Sequence, residues 1–184
     1  KGPEAIIEAS WNLELFDIET KSEVYRRGIF TDSPVSENKS PDSPVQAVRK
    51  RVSEHLSAGK FVVTIGGEHT VSIGAAIAHA QHHRDITVIQ LDAHTDLRDS
   101  YHDSPYNHAC VMSRIRETCP ILQIGIRSMD TSELSRCDFN RIFLAENIHT
   151  EHDWILKAID KVETSCCYIT IDVDVFDISI MPAT

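Results

Sequence analysis

ITVIQLDAHTD spans residues 86–96, and the change of character inside it decides the fold. Ile86 to Leu91 is a short apolar run rich in β-branched residues. Such a run suits a strand covered on both faces within a parallel sheet. It gives way without a turn signal to Asp92, His94 and Asp96. Working outward, the same design recurs on either side. FVVTI (61–65) runs into Gly66-Gly67-Glu68-His69-Thr70, and CCYITI (166–171) runs into Asp172-Val173-Asp174-Val175-Phe176-Asp177. ILQIGI (121–126) is a further strand, and Arg141 to Leu144 a possible short one.

Helical patterns separate these runs. Ser43 is placed to cap a helix with Pro44 at its first position, and Val45, Val48, Val52 and Leu56 keep helical spacing as far as Gly59. Further helices are predicted over Val71 to about His82, near 108–117, and from about Glu151 to Val162. Upstream lie a short helix (Pro3 to Ser10), an apolar segment (Leu13 to Ile18) and a loop rich in Ser, Pro and Asp (31–44). Strands alternating with helices of this length predict one α/β domain with a mostly parallel sheet, spanning 1–184.

In an open parallel sheet, ligands bind beyond the carboxyl ends of the strands. The three polar clusters all lie there, so distant parts of the chain can converge. If the chain stays extended past residue 91, Asp92, His94 and Asp96 point to one side at steps of about 6.5 Å. Asp172 and Asp174 repeat the arrangement. Two metal ions about 3.5–4 Å apart need carboxylates able to bridge as well as terminal ligands. Asp92, Asp96, Asp172 and Asp174 with His69 and His94 supply both. Without a cation, four gathered carboxylates repel one another and raise their own pKa values. Coordination rich in carboxylate and free of sulfur favours Mn²⁺ over a structural zinc site. Each cluster alone has a plain alternative: a turn with a surface histidine at His69, or helix caps at Asp172 and Asp174. Three clusters at three strand ends argue for a metal-dependent hydrolase.

Other features carry less. His79, His82 and His83 have helical spacing, but near a helix end they favour the dipole or face water. His149 and His152 lack the H-E-x-x-H arrangement, and Gly66-Gly67 is not followed by the Lys-Ser/Thr of a phosphate loop. The five cysteines (Cys110, Cys119, Cys137, Cys166 and Cys167) are odd in number and form no C-x-x-C pair, so neither a disulfide framework nor a zinc-cysteine site is expected. A reducing cytoplasm is the expected compartment. A formal net charge of −10 speaks against a nucleic-acid partner and is compatible with a cationic substrate. No apolar stretch reaches the roughly 18 residues of a membrane helix, and KGPEAIIEAS lacks the pattern of a signal peptide.

The segments KGPEAIIEAS, GGEHT, LDAHTDLRD, NHACVMSR, GIRSMD and ITIDVDVFD together resemble the ureohydrolases, the family of arginase, agmatinase, guanidinobutyrase and formimidoylglutamase. GGEHT and NHACVMSR are closer to the agmatinase branch. The resemblance implies a three-layer αβα fold and a dimanganese centre in a homo-oligomer. It also implies hydrolysis of a guanidino compound, most simply agmatine to putrescine and urea, a step in polyamine formation. On this resemblance Asp92 and Asp172 bridge two Mn²⁺ ions, His69 and Asp96 complete one site, and His94 and Asp174 complete the other. A metal-bridging hydroxide attacks the guanidinium carbon, Asp96 orients it, and His108 moves protons near the substrate. Histidine suits that task because its pKa lies near working pH; the plain alternative is a helix-start histidine. Asp177 is given a supporting role and no ligand bond.

Relative to the family pattern the chain looks incomplete at both ends. The part expected after SIMPAT carries an acidic partner for the guanidinium, so these residues alone are expected to bind Mn²⁺ weakly and turn over little substrate. Three other substrates stay open: arginine, guanidinobutyrate and formimidoylglutamate. A non-catalytic metal-binding homologue is the alternative from another class.

Overall fold

The computed structural model describes residues 2–182 apart from Asn38 and Pro41. Those two residues of the loop predicted over 31–44 therefore lie outside the described residues. Four strands form one sheet in the order β3-β2-β1-β4: β1 (Ile86–Leu91), β2 (Ile121–Ile126), β3 (Ile142–Leu144) and β4 (Cys166–Ile171). Every pairing is parallel, with Gln90 opposite Gln123 and Thr170 opposite Gln90. The predicted bounds of β1, β2 and β4 coincide with the observed ones, because an apolar run ending in charged residues marks a strand end sharply.

Helices cover both faces, giving three layers. On one side, α2 (Ser43–Ser57), α3 (Val71–His83) and α4 (Val111–Ile115) bring Val45, Ile73, Ala76, Val111, Met112 and Ile115 onto Val88 of β1. On the other, α5 (Ala145–Thr150) and α6 (Trp154–Asp160) bring Ile148, Trp154 and Ala158 onto Leu122 and Ile124 of β2, with Ile89 and Leu91 of β1 alongside. Successive strand residues thus serve opposite layers, as the pleat requires. The α2–α3 contact is close because Gly74 has no side chain: a Cβ there would lie 2.3 Å from the Val45 carbonyl oxygen. An N-terminal helix, α1 (Gly2–Ser10), buries no residue.

Several expectations fail in detail. FVVTI (61–65) is not a strand; it pairs with nothing among the described residues, and Phe61 and Val63 are 95% and 73% exposed. A strand exists only through a hydrogen-bonded neighbour, and composition alone does not supply one. Val62 of this segment packs against the cluster of Val52, Leu56, Ala75 and Ala78 on α2 and α3. The helix predicted near 108–117 is a 3-10 turn (His108–Cys110) leading into α4, and that predicted over 151–162 is limited to α6. The sequence pattern does not predict α5 at all. Ser43 is the first residue of α2 rather than its cap; Asp42 precedes it, and the Ser43 hydroxyl turns back to the Ser40 carbonyl.

Candidate metal centre

Beyond the carboxyl end of β1 the backbone does not stay extended. Asp96 has φ +52°, in the left-handed region, so the expectation of three ligands alternating along one extended edge is wrong. The loop curls instead, and the curl brings the side chains together. The Asp92 carboxylate, 1% exposed, divides its two oxygens: Oδ2 lies 3.0 Å from His69 Nδ1, and Oδ1 lies 3.7 Å from His94 Nδ1. Asp96 Oδ2 is 2.8 Å from His69 Nδ1, and Asp172 Oδ2 is 3.8 Å from it. Asp174 Oδ2 is 3.0 Å from His94 Nδ1. All six residues singled out from the sequence meet at one place.

Two sets within this cluster are compact enough to hold a cation. His69, Asp92 and Asp172 place one donor atom each within 4.8 Å of one another, and so do Asp92, His94 and Asp174. Asp92 belongs to both sets. Hard oxygen and imidazole nitrogen donors, with no sulfur, fit a divalent ion of the Mn²⁺ type. The gathered charges shift one another's pKa values. Burial pushes the Asp96 carboxyl up to about 6, partly offset by its hydrogen bond with His69. Asp174 is also raised, by burial and by the neighbouring Asp92 and Asp172 charges. His69 is buried, which alone lowers its pKa, yet the hydrogen bonds and charges of Asp92 and Asp96 carry it up to about 10. His69 is thus held as an imidazolium among the carboxylates.

Local structure fixes each donor. Asp172 both faces His69 and caps the 3-10 turn Val173–Val175, accepting from the Asp174 amide at 3.2 Å. The cap read from the sequence as an alternative at Asp172 is therefore present, and the same side chain also faces His69. Asp174 Oδ1 accepts from the Ala93 amide at 3.0 Å, tying the two loops together. Asp92 accepts from the His94 amide and from Gln90 Nε2, each at 2.7 Å. Gln90 in turn accepts from Gln123 Nε2 at 2.6 Å, and that nitrogen also donates to the Thr95 carbonyl. These two glutamines escaped the sequence reading, although a glutamine inside each apolar run (ITVIQL, ILQIGI) was the available signal. Arg127, just after β2, was likewise missed; its guanidinium donates to the backbone carbonyls of Asp174, Val175 and Phe176. Gly125 has φ +95° where the β2–β3 register shifts, and a Cβ there would lie 2.6 Å from Val175 Cγ2.

His108 is exposed and belongs to neither donor set; its Nδ1 lies 4.0 Å from Glu68 Oε2 and its ring is edge-on to Tyr101 at 5.6 Å. Asp177 is exposed, accepts from the Ser179 amide at 2.9 Å, and belongs to neither donor set. The histidines of α3 form no metal-holding group among the described residues. His79 departs from expectation by being buried: its ring packs on Tyr168 at 4.8 Å, and burial lowers its pKa. All five cysteines are free thiols. Among the described residues no helix is long and apolar enough to cross a membrane.

A parallel three-layer α/β fold with imidazoles and carboxylates gathered at the strand ends defines a candidate binuclear metal site. Comparison with known proteins agrees in class: the arginase-family profile matches residues 1–184. The chain belongs to the arginase family. It is 39% identical to the N(1)-aminopropylagmatine ureohydrolase of Synechocystis sp. over 98% of this chain and 62% of that protein. Against a Thermus thermophilus protein of the same name the identity is 36%, over 100% of this chain and 64% of the relative. The crystal structure of agmatine ureohydrolase from Thermoplasma volcanium superposes with a TM-score of 0.88 at 29% identity, covering 99% of this chain and 63% of that one. The chain thus spans less than two thirds of the length of the relatives it matches.

Proposed function

We propose that the protein hydrolyses the terminal guanidino group of an aliphatic polyamine precursor, agmatine or an aminopropyl-extended agmatine, at a site holding two Mn²⁺ ions, with release of urea. The observation that carries this reading is Asp92: one buried carboxylate serves two donor sets, one oxygen turned towards each histidine. In this reading His69, Asp92, Asp96 and Asp172 hold one ion, and Asp92, His94, Asp172 and Asp174 the other. The ions would make water nucleophilic at neutral pH and offset charge developing on the substrate.

The chain's own residues do the remaining work. The four carboxylates would offset the charge of two divalent ions, so a cationic guanidinium could approach the nucleophile without being repelled. Asp96 orients the attacking water by a hydrogen bond. His108, beside Glu68 and Tyr101, delivers a proton to the departing amine, which must be protonated to leave. The names of the two curated relatives above favour the aminopropyl-extended substrate, while the likeness to the Thermoplasma protein supports agmatine itself.

The test is urea release by the full-length protein with Mn²⁺, offered agmatine, N(1)-aminopropylagmatine, arginine and guanidinobutyrate in parallel. Turnover of either agmatine compound, at least tenfold above the other two, is expected. Arginine turnover without agmatine turnover rejects the substrate assignment, and no urea from any of them rejects the enzyme reading.

A further inference from the structure

Glu133 is a charged residue in the wrong place for a solvated surface. It lies in the 3-10 turn Thr131–Arg136 and is only 4% exposed. Burying a carboxylate is costly unless its lone pairs are met. Three donors meet them. Oε1 accepts from the Thr95 hydroxyl at 2.7 Å and from the Leu97 amide at 2.8 Å, while Oε2 accepts from the Asp130 amide at 2.7 Å. Two of these donors flank Asp96, and the third begins a path to His108.

The Asp96 backbone explains why that matters. Its left-handed φ is uncommon for a residue with a side chain, though Asp tolerates it better than most, and it is held here by the surroundings. The Asp96 carbonyl accepts from the Met112 and Ser113 amides at 3.0 and 3.1 Å. The amide on the other side of the same peptide bond, Leu97 N–H, is held by Glu133. The peptide is fastened from both ends, and the Asp96 carboxylate is thereby aimed at His69. On the other arm, the Asp130 carboxylate pairs with Arg98 at 3.2 Å. The Arg98 guanidinium lies over the Tyr101 ring at 4.9 Å, and Tyr101 meets His108 edge-on.

We propose that Glu133 is a positioning residue for this site: without touching substrate or metal, it sets the strained Asp92–Leu97 loop and, through Asp130, Arg98 and Tyr101, the ring of His108. This inference rests on the metal-dependent reading above. Sequence reading passed over Glu133 because the spacing from Thr95 says nothing of a buried contact.

The test compares Glu133→Gln, Thr95→Val and Thr95→Ser in the full-length protein. The measurements are the Mn²⁺ dissociation constant, the melting temperature without metal, and kcat and KM for urea release. Glu133→Gln keeps the shape but must turn an NH₂ group towards a donor. It is expected to weaken Mn²⁺ binding at least tenfold and to lower kcat more than it changes KM. Thr95→Val is expected to weaken Mn²⁺ binding several-fold, and Thr95→Ser, which restores the hydroxyl, to remain within twofold of wild type. Variants that melt earlier yet keep Mn²⁺ affinity and kcat within twofold of wild type make Glu133 merely structural and overturn the proposal. Should Glu133→Gln not fold, the Val and Ser pair at residue 95 decides by the same criterion. Wild type that binds Mn²⁺ but releases no urea defeats the substrate reading alone, and positioning is then judged on Mn²⁺ affinity. Wild type that binds no Mn²⁺ defeats both.

Discussion

Replacing Asp92 by Asn separates a metal centre from a buried polar cluster. The substitution preserves shape and leaves Oδ1 able to accept from the His94 amide at 2.7 Å. The new NH₂ group, however, faces two donors, Gln90 Nε2 at 2.7 Å and His69 Nδ1 at 3.0 Å. Gln90 cannot turn over without losing its bond from Gln123. Loss of a hydrogen bond to a charged group is worth about 1.5–3 kcal/mol, while removing one of four clustered carboxylates gives some back. The metal-free variant is therefore expected to be only moderately less stable than wild type. The metal-dependent term discriminates better. An ion at a hundred times its dissociation constant stabilises the fold by about 2.7 kcal/mol. At about 2–4 °C per kcal/mol for a chain of this size, that raises Tm by about 5–11 °C. Because Asp92 belongs to both donor sets, Asp92→Asn is expected to abolish this rise, measured by calorimetry with and without Mn²⁺. Asp177→Asn, outside both sets, is expected to keep it. A full Mn²⁺-dependent rise in Asp92→Asn would refute the assignment.

Metal uptake should expel protons. His69 carries its proton up to about pH 10 and Asp96 up to about pH 6 in the metal-free fold, and both must give it up to coordinate. Adding Mn²⁺ is expected to release about one proton per protein at pH 8 and about two near pH 5.5 from these groups, so affinity rises with pH; indicator-dye titration showing pH-independent release contradicts this. The same raised His69 pKa favours the metal-free fold most below its unfolded value of 6.5, and that contribution disappears as pH climbs through about 10. Gly74→Ala forces a methyl group onto the α2 backbone, 2.3 Å from the Val45 carbonyl oxygen. It is expected to cost about 1–3 kcal/mol in denaturant unfolding, and an unchanged midpoint refutes the close helix contact. Tyr101→Leu removes the ring against His108 and is expected to lower kcat about tenfold, whereas Tyr101→Phe keeps the edge contact and stays near wild type. Equal kcat in both variants excludes a positioning role for the ring.

The architecture was legible because it is written in local terms. Three strands were bounded to the residue by apolar runs ending in charge, and their alternation with helices implied a parallel sheet. Five of the six ligand candidates were legible for a related reason, as polar residues just past the ends of β1 and β4; His69 instead lies just ahead of α3, and the strand predicted before it does not form. FVVTI shows the limit. It has the composition of a strand, but pairing is a property of its neighbours, and the described residues offer it none.

What only the tertiary structure decided is how the donors meet. Alternation along an extended chain picked out side chains that do cluster, but by a geometry the loop does not have, since Asp96 turns into the left-handed region. That conformation is held by Glu133 from a segment more than thirty residues away. Gln90, Gln123 and Arg127 entered the site in the same way, through contacts across strands and between loops. Sequence alone thus bounded three strands and picked out the six side chains that cluster, because hydrophobic periodicity and residue type are local properties. The buried network that aims those side chains depends on distances between segments remote in the chain, which only the folded structure sets.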